Sequence, residues 1–186
     1  MTIKILELFG GIGSPRVALR NLGIDIKSID YVEIDAKAVA SYNAIFASDL
    51  KYKTQSVIDW ELKPDILIHG SPCQDFSRAG KRLGGNDEDK TRSSLMFETL
   101  KIIENLGAWK PKFVIWENVK GVLDKDMIHS FNKYLSKMEE LGYEIGKKMG
   151  LKCPTVFKFM LEDEEGDSAD VDDSDELTIT GKIAEI

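Results

Sequence analysis

Cysteine and histidine are scarce in this chain, with two of each among its 186 residues. The pair Cys73 and Cys153 makes no disulfide framework, and no Cys/His cluster has zinc-ligand spacing, so no structural metal is expected. Long apolar runs are also missing. None approaches the roughly 20 residues of a membrane-spanning helix, so no membrane partner is expected. The opening Met1-Thr2-Ile3-Lys4-Ile5-Leu6 lacks the cationic, apolar and small-residue sections of a signal peptide, so a cytoplasmic location is expected. No internal repeat is visible.

What remains is ordinary globular composition, 42% hydrophobic and 31% charged, in a chain long enough for one domain with its own core. The formal net charge of −7 weighs, at face value, against a nucleic-acid partner. The charge is lopsided, however. Residues 162–186 hold 11 acidic residues and one lysine, which leaves 21 acids and 24 bases, a net of +3, for residues 1–161. The body is mildly basic and the tail strongly acidic, so the total says little about the partner.

Along the chain, apolar strand-like runs alternate with helical spacing. Strands are predicted at 3–9, 28–33, 54–57, 65–68 and 113–116. Helices are predicted at 16–22, with Pro15 before it and Gly23 past its end, and at 36–46, 94–106 and 127–141. This alternation predicts an α/β fold with a parallel sheet covered on both faces. Ligands in such doubly wound sheets bind at the carboxyl ends of the strands, where strand order reverses. The polar, glycine-containing stretch 70–92 reads as a long functional loop. After Tyr143 the character changes: 154–161 and 177–186 read as strands around an acidic run, 162–176, which reads as a solvated loop. Residues 1–145 are therefore expected to form the core, with 146–186 a divergent acidic extension.

The polar motifs all fall at predicted strand ends. Phe9-Gly10-Gly11-Ile12-Gly13 joins a strand to a helix, where glycines let the backbone approach a ligand and the helix offers free N–H groups. By itself this is equally a tight turn, and it lacks the third glycine of the dinucleotide fingerprint. Glu33, ending the second predicted strand, can accept hydrogen bonds from ribose hydroxyls. Cys73 follows Pro72 in Gly70-Ser71-Pro72-Cys73-Gln74; as a thiolate it would be a strong nucleophile, although a lone cysteine is most often a buried structural one. His69 is adjacent in sequence but is expected to point elsewhere. Glu117, in Trp116-Glu117-Asn118-Val119, brings a carboxyl to the same cleft. Partly desolvated, it can stay protonated and donate to a ring nitrogen.

In this order and spacing, the motifs from Leu6 to about Tyr143 resemble the bacterial and phage DNA cytosine-5 methyltransferase family. Phe9-Gly10-Gly11-Ile12-Gly13 is similar to its S-adenosyl-L-methionine turn, Glu33 to its ribose-binding acid, Pro72-Cys73-Gln74 to its nucleophile motif and Glu117-Asn118-Val119 to its catalytic glutamate motif. Arg92-Ser93-Ser94-Leu95-Met96-Phe97 is similar to the segment between the last two. The resemblance implies a Rossmann-like methyltransferase domain in which Cys73 and Glu117 are catalytic. It implies cofactor contacts from Phe9, Gly10, Gly11, Ile12, Gly13, Glu33, Ile34, Pro72 and Leu95. Double-stranded DNA would meet Gln74, Ser77, Lys81, Arg82 and Arg92, with a target base flipped from the duplex and the loop 78–92 closing over it.

The sequence departs from the family in three places. The adenine-contacting acid is matched by Ser56 or Asp59, depending on alignment. Nothing after Tyr143 resembles the family's Gln-x-Arg-x-Arg segment, and the last arginine is Arg92. The recognition domain and the closing Asn-containing motif are missing, and the family's enzymes are substantially longer. Three expectations follow: half of a split enzyme completed by another polypeptide, a truncated product that folds without methylating, or a binding module on a methyltransferase scaffold.

Overall fold

A computed structural model describes residues 2–46, 51–58, 62–72, 95–125, 128–146 and 156–159. The first strand, β1 (Ile3–Leu8), is apolar at four of its six positions because both of its faces are covered, as a central strand of a helix-covered sheet requires. Ile3 and Ile5 face one side with Leu19 of α1 (Ser14–Asn21), while Leu6 and Leu8 face the other. Then come β2 (Ile26–Val32), α2 (Ala36–Phe46), β3 (Ile66–His69), α3 (Met96–Asn105), β4 (Phe113–Trp116), α4 (Ile128–Glu140), β5 (Tyr143–Ile145) and β6 (Val156–Phe159).

The sheet order is β2-β1-β3-β4-β6-β5. The pairs β1–β2, β1–β3 and β3–β4 are parallel. From β1 the chain steps outward to β2, then returns to β1's other side for β3, so strand order reverses at β1. Leu6, Leu8, Leu67, Val114 and Trp116 form the larger core with Met96, Phe97 and Ile103 of α3 and Phe131, Tyr134 and Met138 of α4. Each such side chain stabilises the fold by about 1.5–3 kcal/mol when fully buried. Pro15 sits in the first turn of α1, where no N–H partner is lost. At its other end Gly23, at φ 72°, closes the helix, with Ile24 N donating to Leu19 O at 3.2 Å.

Several expectations meet different outcomes. The parallel sheet is in fact mixed, since β6 runs antiparallel to both β4 and β5. The predicted strand at 154–161 is present as β6, whereas β5 was not foreseen. Residues 54–57 form no strand. Gln55 instead lies along the end of β2, its N–H donating to Glu33 O at 2.8 Å and its side-chain amide to Tyr31 O and Asp30 Oδ1, both at 3.2 Å. A side chain there does what a ladder would have done. The strand expected at 177–186, the acidic run 162–176 and most of the loop 70–92 lie outside the described residues.

Candidate active site

Ladder hydrogen bonds continue past the strand ends and set the site's level. Gly10 N donates to Val32 O at 3.1 Å, Gly70 N to Leu8 O at 3.3 Å and Glu117 N to His69 O at 2.9 Å. The glycine turn, Gly70 and Glu117 thus stand side by side at the carboxyl edge of β2, β1, β3 and β4. Between them is a cavity of about 400 Å³, lined by Phe9, Gly10, Gly11, Ile12, Gly70 and Glu117 among others, a size within the roughly 300–1,000 Å³ range of small-molecule sites.

Glu33 braces the turn. Its Oε2 accepts from Gly11 N at 3.0 Å, and Oε1 accepts from Ile34 N at 2.7 Å and Asp35 N at 2.9 Å. Three of about four acceptor positions of a carboxylate are therefore taken, leaving one on Oε2. Phe9 and Gly11 adopt φ 53° and 52°, and a Cβ on Gly11 would meet nothing within 4 Å. Tyr31 closes the turn from below, donating to Gly11 O at 2.5 Å.

Of the residues expected to contact the cofactor, Phe9, Gly10, Gly11 and Ile12 line the cavity, and Glu33 is bonded to its wall. Gly13 lies beneath the turn, where an added Cβ would sit 2.5 Å from Phe46 and 2.7 Å from Tyr42. Ile34, at 76% exposure, is one residue past Glu33. Pro72 and Leu95 are half-buried, and the cavity lining does not include them. Ser56 Oγ accepts from Ile58 N at 3.3 Å; Asp59 is outside the described residues. Cys73, Gln74, Ser77, Lys81, Arg82 and Arg92 are outside them as well. Glu117 is exposed, with a carboxylate oxygen 3.4 Å from where a Cβ on Gly70 would stand. Among the described residues no group of three or more His, Cys, Asp or Glu side chains is placed to hold a metal, and no helix is long and apolar enough to cross a membrane.

Two buried ionisable groups flank this edge. His69 is fully buried, with Nε2 2.9 Å from Tyr134 Oη and Nδ1 3.4 Å from Thr99 Oγ1. Its ring is turned into the α3 and α4 layer, and burial pushes its pKa down to about 3. Glu7 lies on the opposite face of the sheet, bonded to Tyr42 Oη and, at 3.4 Å, to Ser28 Oγ, and burial raises its pKa. The two act in opposite directions. As pH falls below 6.5 the unfolded chain protonates its histidine while folded His69 stays neutral, so stability present above pH 6.5 is lost at about 1.4 kcal/mol per pH unit. Folded Glu7 holds its proton at pH values where the unfolded chain has lost it, which favours the fold on acidification. Urea midpoints are therefore expected to drop between pH 7 and 5, and to drop more steeply in Glu7→Gln. A profile no steeper in that variant would show that Glu7 is not the opposing group.

No local pattern signals the contacts that join the ends of β3 and β4. Ser71 Oγ accepts from Trp116 Nε1 at 3.0 Å and from Asn118 Nδ2 at 3.3 Å. These partners are about 45 positions apart, and nothing in local periodicity pairs them.

Fold and cavity together define a doubly wound α/β domain with an open cavity at its switch point. A family model described as C-5 cytosine-specific DNA methylase matches residues 3–150, and the chain belongs to that family. An orphan methyltransferase of Bacillus phage SPR is 40% identical over 147 residues, which are 77% of this chain and 32% of that protein. The type II methyltransferase M.HpaII of Haemophilus parainfluenzae is 39% identical over 143 residues, 74% of this chain and 37% of its own length. The chain spans about a third of the length of these curated relatives. Among solved structures, a Spodoptera frugiperda DNMT2 mutant is 26% identical with a TM-score of 0.58, over 76% of this chain and 42% of that one. The Entamoeba histolytica methyltransferase EhMeth, 17% identical with a TM-score of 0.63 over 94% of this chain and 58% of its own, shares the fold.

Proposed function

We propose that this chain is the cofactor-binding and nucleophile-bearing part of a DNA cytosine-5 methyltransferase. The observation that carries the reading is the bond from Gly11 N to Glu33 Oε2, which ties the glycine turn to the ribose-binding acid beside a cavity that reaches Glu117. S-adenosyl-L-methionine fits these residues: the turn presents backbone, Glu33 keeps one acceptor site for a ribose hydroxyl, and Ile12 and Ile34 offer exposed apolar surface to an adenine ring. When bound, it supplies the electrophilic methyl group. Gly13, Pro72 and Leu95 complete its contacts in this reading.

The substrate is a cytosine flipped from double-stranded DNA. The Cys73 thiolate adds to carbon 6, and the displaced electron pair passes to the ring, where Glu117 donates a hydrogen bond or proton to nitrogen 3. Carbon 5 of the resulting enamine takes the methyl group. Loss of its proton to a base returns an electron pair that re-forms the ring double bond and expels the thiolate. Glu117 is exposed in the free chain, so in this reading the stacked base is what shields it from water. Gln74, Ser77, Lys81, Arg82 and Arg92 meet the DNA.

The test is titration with labelled S-adenosyl-L-methionine. Glu33→Ala removes a charge-assisted acceptor worth about 1.5–3 kcal/mol, a loss of roughly 10- to 150-fold in affinity, and frees the Gly11 N–H it holds. Unchanged affinity in that variant would remove Glu33 from the site; no binding by the parent chain, alone or with DNA, would remove the cofactor.

A further inference from the structure

We propose that Tyr31 is a positioning residue for the cofactor, fixing the Gly11–Ile12 peptide in the orientation that S-adenosyl-L-methionine requires; the inference rests on this chain binding that cofactor. Gly11 stands at φ 52°, and glycine has the least restricted backbone of any residue. A Cβ there would meet nothing within 4 Å, so packing does not hold this residue. Hydrogen bonds do. Gly11 N donates to Glu33 Oε2 at 3.0 Å, and Gly11 O accepts from Tyr31 Oη at 2.5 Å. Tyr31 and Glu33 are two positions apart at the end of β2, so both side chains project to the same side and reach the turn together.

The bond to the carbonyl decides what the turn presents. In a trans peptide the C=O and the following N–H point in opposite directions. With Gly11 O drawn to the buried Tyr31, Ile12 N is turned the other way, to the side where Gly11 and Ile12 line the cavity. Among the described residues no hydrogen bond takes up Ile12 N, which leaves it for an acceptor on the cofactor. Without the Tyr31 bond this peptide can rotate, and the donor loses its aim.

Tyr31 is itself wedged in place. It is 0% exposed, its ring stacks on Tyr42 with centroids 3.7 Å apart, and Tyr52 meets it edge-on at 5.6 Å. A Cβ on Gly10 would stand 2.6 Å from its Cδ2 and Cε2. Tyr42 is tied in turn by Glu7 and by a 2.8 Å bond from Arg16. Burial, and after it the negative charge of Glu33, raises the Tyr31 pKa. The hydroxyl therefore keeps its proton and stays a donor at neutral pH.

Tyr31→Phe removes one oxygen and keeps the ring and its stack. Titration with labelled S-adenosyl-L-methionine is expected to show an affinity loss of about fivefold or more, the order that one neutral hydrogen bond is worth. Tyr143→Phe is the matched control, because Tyr143 on β5 donates to Pro111 O at 2.8 Å, also a buried bond from tyrosine to a backbone carbonyl. It should leave affinity within about twofold of the parent. Amide exchange without cofactor separates local from global loosening: in Tyr31→Phe, Gly11 N–H should exchange about fivefold faster or more while Leu67 and Val114, in the central strands, keep the parent's rates. Thermal melts show that both variants are folded. A smaller affinity loss in Tyr31→Phe, an equal loss in Tyr143→Phe, or exchange that quickens equally at Leu67 and Val114 overturns the proposal. No binding by the parent chain would instead overturn the cofactor reading on which it rests.

Discussion

Residues 1–186 mixed with S-adenosyl-L-methionine and duplex DNA containing 5-fluorocytosine are expected to form no Cys73-dependent covalent complex, and to form one when a polypeptide with the remaining part of a relative is added. In the fluorinated base carbon 5 bears fluorine, which cannot leave as a cation, so the adduct has no route to release and accumulates. The groups proposed to make and break bonds, Cys73 and Glu117, are in this chain. The chain covers 32% and 37% of the two relatives described above, and what it does not cover has to hold the DNA in register. Orientation of reactants accounts for about 7–11 kcal/mol of a barrier, enough that an ungripped base will not react in the time of the assay. Cys73→Ser should abolish the complemented product. A complex formed by residues 1–186 alone would show the remainder dispensable. No complex in either mixture, with cofactor binding intact, would favour a binding module.

Gly13→Ala should cost about 2–5 kcal/mol in urea unfolding, because two penalties coincide at one residue. Gly13 has φ 81°, and a left-handed backbone costs an L-residue with a side chain about 1–2 kcal/mol. The added methyl would also stand 2.5 Å from Phe46 Cε2 and 2.7 Å from Tyr42 Cε2, an overpacking of the kind that costs about 1–3 kcal/mol. Neither ring is free to retreat. Tyr42 stacks on Tyr31 with centroids 3.7 Å apart and accepts a 2.8 Å hydrogen bond from Arg16, whose guanidinium lies 4.5 Å over Phe46. Gly11→Ala is the control. Its φ is 52° but its Cβ would meet nothing, so only the backbone penalty of about 1–2 kcal/mol remains. Equal losses in the two variants would show that α2 does not press on the turn.

The parts of this fold that local chemistry dictates could be read from the sequence. The apolar run Ile3-Lys4-Ile5-Leu6-Glu7-Leu8 announces a buried strand, and Pro15 and Gly23 mark the two ends of α1 to within two residues. Glu33 and the glycine turn were legible as a pair because both end strands of a parallel sheet. Non-local choices were not legible. Thr54-Gln55-Ser56-Val57 has strand character, yet Gln55 serves β2 with its side chain, which no periodicity encodes. Tyr143-Glu144-Ile145 is too short to display a period, and its neighbour in the sheet arrives from residue 156 onward. Ser71 looks like any loop serine until Trp116 is placed beside it.

The interleaving of β6 between β4 and β5 also constrains how the protein is made. On a ribosome the chain emerges from its N-terminus at about 5–20 residues per second, so β4 and β5 are both available before the strand that joins them. Until residues 156–159 follow, the Phe113–Trp116 edge has no partner on that side, and an open strand edge invites pairing with another chain. A pause or stop in translation between residues 146 and 155 therefore leaves a nascent domain with an unsealed sheet, and chaperone capture at that stage should exceed capture of chains that have passed residue 159.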